Sequence, residues 1–255
     1  KGSSWFFLPD EYNFKRVLSI SGASKVSFLN SVIGFLVNNQ RIFKTTDGGN
    51  NWMLQGSSSL TNSKHFQFTD ELTGYSASNS GSMAKTTTGG ISWFNINTPS
   101  TLEYKGSFKF INNNTGIFAA SNYHIYQTTN GGINWQVTDS TNTIELWQIN
   151  IVNPGLIFIG ANSGKLFKST DGGIHWSSFN TGFSYNTILF NSELTGYIAI
   201  SGGGFKKTTN GGTNWFDLPS SFLRALQGCT MDSSGFGVAV GWCGQIASTS
   251  NGGQT

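Results

Sequence analysis

The sequence predicts an all-β chain of four-stranded antiparallel blades repeated around an axis, a β-propeller. Three observations predict it. A Gly-Gly turn ending in Trp recurs along the whole chain. An apolar–turn–apolar hairpin pattern sits upstream of each copy. The composition also starves helices: 33 of 255 residues are Gly, against a usual level of roughly 7%. Asn, Ser and Thr are abundant, while the good helix formers Ala, Leu, Glu and Lys are scarce.

The turn comes first. It reads Lys44-Thr45-Thr46-Asp47-Gly48-Gly49-Asn50-Asn51-Trp52, then Lys85-Thr86-Thr87-Thr88-Gly89-Gly90-Ile91-Ser92-Trp93. It returns as Thr128-Thr129-Asn130-Gly131-Gly132 to Trp135, Ser169-Thr170-Asp171-Gly172-Gly173 to Trp176, and Thr208-Thr209-Asn210-Gly211-Gly212 to Trp215. A further copy, Thr249-Ser250-Asn251-Gly252-Gly253, stops short of its Trp, and Gly2-Ser3-Ser4-Trp5 shows only a tail. From Trp5 to Trp215 the spacings are 47, 41, 42, 41 and 39. One four-stranded blade takes roughly 40–45 residues. The Gly pair supplies positive φ for a tight turn. The Asp or Asn accepts backbone N–H bonds inside its own turn, with help from the first Thr. Thr88 stands where Asp stands elsewhere, and a weaker turn is expected there. The Trp is expected to bury its ring between adjacent blades, with a partner for its N–H.

The hairpins follow. Val26-Ser27-Phe28-Leu29-Asn30 pairs with Gly34-Phe35-Leu36-Val37, and Phe66 to Asp70 pairs with Gly74-Tyr75. Phe108 to Asn112 pairs with Gly116-Ile117-Phe118, and Ile188 to Asn191 with Gly196-Tyr197-Ile198. A third strand precedes each Thr-Thr, as in Arg41-Ile42-Phe43-Lys44, and the fourth begins at the Trp. The blade with Pro154-Gly155 is expected to lack the usual hairpin spacing. At the ends, Trp5-Phe6-Phe7-Leu8 would complete the last blade and close a six-bladed ring. The alternative is a fragment of a ring of seven or more blades. Residue 1 is Lys, and both breaks fall inside the repeated turn. A single propeller domain over 1–255, truncated at both ends, is the expectation. Any secretion signal or anchor would then lie outside this segment.

Ser/Thr-x-Asp-x-Gly-x-x-Trp resembles the Asp-box, or bacterial neuraminidase repeat, of sialidases, some endoglucanases and sortilin-type receptors. The fuller pattern, with Phe-x-Asn/Asp, Gly-Tyr and Lys-Thr-Thr-Asp-Gly-Gly-x-x-Trp, more closely resembles the photosystem II assembly and stability factor family, over essentially the whole chain. That resemblance implies a propeller and a chaperone-like binding role. Such turns occur in proteins that do unrelated things, so they speak to fold rather than to function.

Several classes fall away. Hydrophobic content of 37% with 14% aromatics argues against disorder. No apolar run approaches the roughly 18 residues of a membrane helix. With 15 basic against 12 acidic residues there is no polybasic surface for nucleic acid. Cys229 and Cys243 cannot form a disulfide scaffold; a single bridge is open, and buried thiols are preferred. His65, His124 and His175 are dispersed, so no metal is expected, and no cofactor is expected either.

Propeller ligands usually bind the end away from the Gly-Gly turn. About nine to twelve residues after each Trp lie Lys15 and Arg16, Lys64 and His65, Lys105, Glu145 and Trp147, Tyr185, and Arg224. The loops between second and third strands add Asn38, Asn39, Gln40 and Arg41, then Asn122, Tyr123 and His124, then Trp242 and Cys243. Arg16, Lys64, Lys105 and Arg224 suggest a weakly basic rim for an acidic peptide, or simply solvated loop charges. Tyr123 and Trp242 suggest exposed anchors, or rings packed on a neighbouring blade, and Trp147 and Tyr185 join the candidate rim, where with Trp242 they would serve sugar stacking equally well. A sialidase would need three clustered arginines, and the chain's three, Arg16, Arg41 and Arg224, lack the Phe-Arg-Ile-Pro pattern. A glycosidase needs two facing carboxylates. Asp70, Glu193 and Asp232 belong near the Gly-Gly end, which leaves Glu103 and Glu145. The reading is a non-enzymatic scaffold for a protein or peptide partner, extracytoplasmic on its low charge and Asn/Ser/Thr/Gly richness. A carbohydrate-directed propeller is the alternative.

Overall fold

The structure is a computed structural model that describes residues 6–7, 23–38, 40–57, 63–78, 82–99, 107–120, 122–141, 144–201, 203–219, 226–232, 234–241 and 246–254. It is all-β, and its fold class is that of a six-bladed β-propeller, with six four-stranded antiparallel sheets. Among the described residues the one helical stretch is a three-residue 3-10 turn at Asn162–Gly164. No helix there is long and apolar enough to cross a membrane. The chain forms two compact units, Asn13–Glu145 and Lys1–Tyr12 with Leu146–Thr255.

A two-residue strand, β1 (Phe6–Phe7), opens the described chain. The first unit then holds three consecutive meanders. These are β2 (Ala23–Phe28), β3 (Gly34–Asn38), β4 (Arg41–Thr45) and β5 (Met53–Ser57); β6 (Ser63–Phe68), β7 (Gly74–Ser78), β8 (Met83–Thr86) and β9 (Phe94–Ile96); and β10 (Ser107–Phe110), β11 (Gly116–Ala119), β12 (His124–Thr128) and β13 (Gln136–Ser140). The second unit holds β14 (Leu146–Ile151), β15 (Ile157–Ala161), β16 (Lys165–Ser169) and β17 (Ser177–Asn180), then β18 (Tyr185–Phe190), β19 (Gly196–Ile200), β20 (Phe205–Thr208) and β21 (Phe216–Leu218). Its last sheet joins β22 (Leu226–Met231), β23 (Gly237–Gly241) and β24 (Ile246–Thr249) to β1, with Phe6 opposite Ser248 and Phe7 opposite Ala247. The N-terminal residues thus supply the fourth strand of the sixth blade.

The Gly-Gly turns behave as their sequence requires. Gly48 and Gly49 have φ of 71° and 92°, backbone that only Gly adopts freely. Thr45 Oγ1 accepts from the N–H groups of Asp47 (3.3 Å) and Gly49 (2.8 Å) and donates to Asp47 Oδ1. Asp47 Oδ1 accepts from Asn51 N. The same bonds recur at Thr128, Asn130 and Gly132, at Ser169, Asp171 and Gly173, and at Thr208, Asn210 and Gly212. The weaker turn expected at Thr88 is not what is found. Its hydroxyl accepts from Ser92 N at 3.0 Å, the bond that Asp47 makes to Asn51, and Thr86 Oγ1 still accepts from Gly90 N.

The hairpin around Pro154 is also regular. Ile151 pairs with Ile157 across five residues, as Phe68 pairs with Gly74 and Phe110 with Gly116. What changes is the pair itself. In the other two blades and in the fifth, a Phe ring lies over the Gly that opens the second strand. A Cβ on Gly74 would stand 2.8 Å from Phe68, and one on Gly196 would stand 2.5 Å from Phe190. Where Ile151 replaces the Phe, Ile157 replaces the Gly, because no ring has to be cleared.

The same Phe explains how blades join. Phe68 stacks on Phe35 of the preceding blade at 3.5 Å, Phe110 on Tyr75 at 3.5 Å, and Phe190 on Phe158 at 3.7 Å. The Trp then meets its own blade's Phe edge-on, as in Phe28–Trp52, Phe68–Trp93, Phe110–Trp135 and Phe190–Trp215, at 6.0–6.1 Å. The ring between blades is therefore the Phe. The half-buried Trp backs it and packs, as expected, into a cluster shared with the preceding blade, Trp93 with Phe35 and Ile42 and Trp135 with Tyr75 and Met83. The indole N–H groups of Trp93, Trp176 and Trp215 donate to the carbonyls of Gly90, Gly173 and Gly212, while Trp135 donates to Asn97 O.

Between three pairs of consecutive blades, side chains of one first strand also satisfy backbone groups on the facing edge of the next. Gln67 accepts from Phe110 N and donates to Phe110 O, both at 2.9 Å. Ser27 Oγ accepts from Phe68 N, and Asn150 Oδ1 accepts from Phe190 N. Lys44–Glu71 and Lys168–Glu193, both 2.9 Å, clamp consecutive blades at the Gly-Gly end.

Candidate functional site

Two ends of each blade are distinguishable. At one, the 3–4 turn is tied to the 1–2 hairpin: Gly48 N donates to Val32 O, Gly131 N to Asn114 O, and Gly211 N to Leu194 O. Asp70, Glu193 and Asp232 sit there, as expected. Asp70 Oδ1 accepts from Leu72 N and Thr73 N. Asp232 Oδ1 accepts from Ser234 and Phe236, and Glu193 is spent on Lys168. Burial raises the Asp70 pKa, but hydrogen bonds from Asn113, Thr73 and Leu72 outweigh it and leave the group below the ordinary aspartate value. Asp232 is held low chiefly by the Ser234 hydroxyl. A general acid needs the opposite displacement. These carboxylates are turn pieces. An open groove of about 530 Å³ also lies at this end, lined by Val152, Asn153, Leu156, Thr170, Asn191 and Glu193.

The other end carries the start of the first strand and the 2–3 connection. Four of the seven rim residues, Arg16, Lys105, Arg224 and Trp242, lie outside the described residues, as do Glu103 and Cys243. Lys64 is placed on β6 by its backbone. A β-bulge opens most first strands: Leu146 pairs with Ala161 and Gln148 with Gly160, which leaves Trp147 unpaired between them. Lys64 and Asn186 occupy the corresponding positions in β6 and β18. Bulges re-aim side chains, and Trp147 is 40% exposed.

Tyr185 does not belong to a rim. It is 1% exposed. Its hydroxyl donates to Lys165 O at 2.7 Å and accepts from Ala161 N. Burial pushes its phenol pKa up. The ring locks the fourth and fifth blades together and is unavailable to a ligand, because a rigid aromatic that close to a neighbouring backbone gains more from packing than from water.

In the 2–3 connections, Arg41 is exposed and Tyr123 is 36% exposed. Cys229 sits on β22, where burial pushes its thiol up to about 12. His65 lies on β6, His124 opens β12 and His175 sits in a Gly-Gly turn, so each belongs to a different blade.

Lys25 and Lys109 escaped the sequence reading; with Lys64 they lie on β2, β6 and β10, the first strands of three consecutive blades, and these strands carry no acidic residue. Lys109 reaches solvent between the buried Phe108 and Phe110, yet enough protein surrounds its ammonium that desolvation lowers its pKa. The lysines of the third strands are engaged instead: Lys85 with Gly131 O and the Tyr75 ring, Lys207 with Gly252 O and the Tyr197 ring. The signal was a lysine in the alternation Phe-Lys-Phe, where a buried strand has no need of charge.

No protein-family model matches the chain, and no curated protein matches it. Solved structures do. A YCF48 bound to a D1 peptide is 20% identical, with a TM-score of 0.72, covering 100% of this chain and 84% of that one. YCF48 from Cyanidioschyzon merolae is 17% identical with a TM-score of 0.68, covering 88% and 81%. The GH74 xyloglucanase of Xanthomonas campestris is 9% identical with a TM-score of 0.73, covering 92% of this chain and 46% of its own. At these identities the likeness establishes the fold.

Proposed function

We propose that this chain is a non-enzymatic binding propeller that takes an extended, acidic peptide segment of a protein partner at the blade ends away from the Gly-Gly turns. The observation that carries the reading is the full-length likeness to a YCF48 structure holding a D1 peptide. The resemblance of the repeats to photosystem II assembly and stability factors points the same way. Lys25 and Lys64, in the first halves of β2 and β6, supply charge for an acidic chain at that end. The low charge and polar, Gly-rich composition suit an extracytoplasmic setting.

Fluorescence anisotropy with a labelled D1 peptide tests the reading. Saturable binding that weakens as salt rises supports it. Saturable binding to a glycan array together with no peptide binding overturns it, in favour of a carbohydrate-directed propeller in which Trp147 stacks on a sugar.

A further inference from the structure

The chain holds three Asn-Gly pairs, and all three stand in Gly-Gly turns: Asn130-Gly131, Asn210-Gly211 and Asn251-Gly252. Two other turns hold Asp-Gly at the same place, Asp47-Gly48 and Asp171-Gly172. Asn-Gly is a chemically labile pair, because glycine has no side chain to hinder attack by its own nitrogen. That nitrogen bonds to the Asn Cγ, the Cγ–Nδ2 bond breaks, and ammonia leaves with the proton the glycine nitrogen gives up. Water then opens the cyclic imide. Cleavage at Cγ leaves Asp. Cleavage at the original main-chain carbonyl leaves isoaspartate, with one extra carbon in the backbone.

The closed turn withholds both reactants. Gly131 N donates to Asn114 O at 2.7 Å, and Gly211 N and Gly252 N donate to Leu194 O and Gly235 O at 2.8 Å. The nitrogen must shed that proton to attack, and a carbonyl oxygen does not take it. The carboxamides are held as well. Asn130 Oδ1 accepts from Thr128 Oγ1 and Asn134 N, and Asn210 Oδ1 from Thr208 Oγ1 and Asn214 N, at 2.9–3.0 Å. Thr249 Oγ1 donates to Asn251 Oδ1 at 3.1 Å. Bringing the nitrogen onto Cγ breaks these bonds together, so the turn must open first.

The turn also suits one product. Asp47 Oδ1 takes the bonds that Asn130 Oδ1 takes, from Thr45 Oγ1 and Asn51 N. The Asn51 N–H is the first cause holding the Asp47 carboxyl below the ordinary aspartate value, so the turn favours the charged form. Positive charge already stands beside two of the Asn turns, where Lys85 Nζ donates to Gly131 O and Lys207 Nζ to Gly252 O. Isoaspartate fits none of this. Its longer backbone displaces the paired glycines, whose φ of 69–93° closes these three turns.

We propose that Asn130, Asn210 and Asn251 are deamidation sites gated by turn opening. The closed turn blocks the reaction, the open turn undergoes it, and only the Asp product closes again. Full conversion takes the formal net charge from +3 to zero, one charge for each turn, which removes the repulsion that keeps copies apart. The proposal does not depend on what the opposite blade ends bind.

The test incubates the chain in mildly alkaline buffer, once folded and once unfolded in guanidinium, and follows the three turn peptides by mass mapping. Each site is expected to convert at least about tenfold more slowly in the folded chain, because opening precedes attack. Equal rates in the two states overturn the gate; this comparison uses the unaltered chain and needs no refolding. The converted pool is then refolded and sorted by gel filtration. A protease that cuts before Asp but not before isoaspartate tells the products apart. Asp is expected in the folded fraction and isoaspartate outside it; isoaspartate in equal proportion in both fractions overturns the selection. Asn130→Asp, Asn210→Asp and Asn251→Asp combined are expected to fold, to focus at a lower pH and to melt no lower than the parent. A lower melting temperature overturns the fit of Asp to these turns.

Discussion

Gly74→Ala tests the account of how blades join. Gly74 has no positive φ, so the backbone tolerates Ala. Reduced freedom of the unfolded chain would stabilise by about 0.4–1 kcal/mol. Against that, the new Cβ lies 2.8 Å from the Phe68 ring. The ring cannot retreat, because Phe35 is stacked on it at 3.5 Å and 3° and Trp93 stands against its edge at 6.1 Å. Overpacking of this kind costs about 1–3 kcal/mol, so a net loss of about 1–2 kcal/mol is expected, a fall of roughly 2–8 °C in Tm for a chain of this size. The sharper measurement is a double-mutant cycle in urea. In a Phe68→Ile background, which copies Ile151 of the fourth blade, the Gly74→Ala change is expected to cost nothing or to stabilise. The same cost in both backgrounds, within the roughly 0.5 kcal/mol of ordinary additivity, would refute the ring-over-glycine argument.

Three further outcomes follow from the turns and the core. Thr208→Val leaves the buried Gly212 N–H without its acceptor, which costs about 1–3 kcal/mol and accelerates hydrogen exchange at Gly212; unchanged exchange there would show that the hydroxyl is dispensable. Asp171 is held below the ordinary aspartate value of 3.8 by the His175 backbone N–H first and the His175 ring next. A depressed folded pKa contributes stability that is full above the unfolded value and is lost as pH falls through the folded one, so Asp171→Asn is expected to flatten the stability profile only below about pH 4, as read by denaturation between pH 2 and 6. Cys229, partly buried and with its thiol pushed up to about 12, is expected to react slowly with iodoacetamide at pH 8 until the chain is denatured, as read by peptide mass mapping; prompt labelling of the native protein would contradict that raised pKa.

The fold was legible because its signals are local and repeated. A Thr, an Asp or Asn and two glycines within five residues close a turn by bonds to one another, and nothing distant is required. The pairing of Phe68 with Gly74 could be read as a hairpin, but not as a ring lying over a glycine, because that needs the stack from Phe35 on another blade. Thr88 looked like a defect because residue type was weighed without geometry; one hydroxyl in the right place suffices. The site was less legible for the same reason. Tyr185 and Trp147 stand at similar distances from their repeat tryptophans, yet one falls in register and is buried against a neighbouring backbone, while the other falls on a bulge and faces out. A one-residue difference in pairing decides this, and sequence spacing does not resolve it. Lys109 was passed over because it stands inside a strand rather than in a loop.

The sixth sheet differs from the others in how it must come into being. Five sheets are each drawn from one stretch of chain and can form in turn as synthesis proceeds, whereas residue 6 meets residue 248 only after nearly everything between has been made. Until then β24 presents a bare edge, and a strand from another nascent copy would fit it as well as the chain's own. Yield on refolding should therefore depend on protein concentration, with exchanged dimers as the characteristic error.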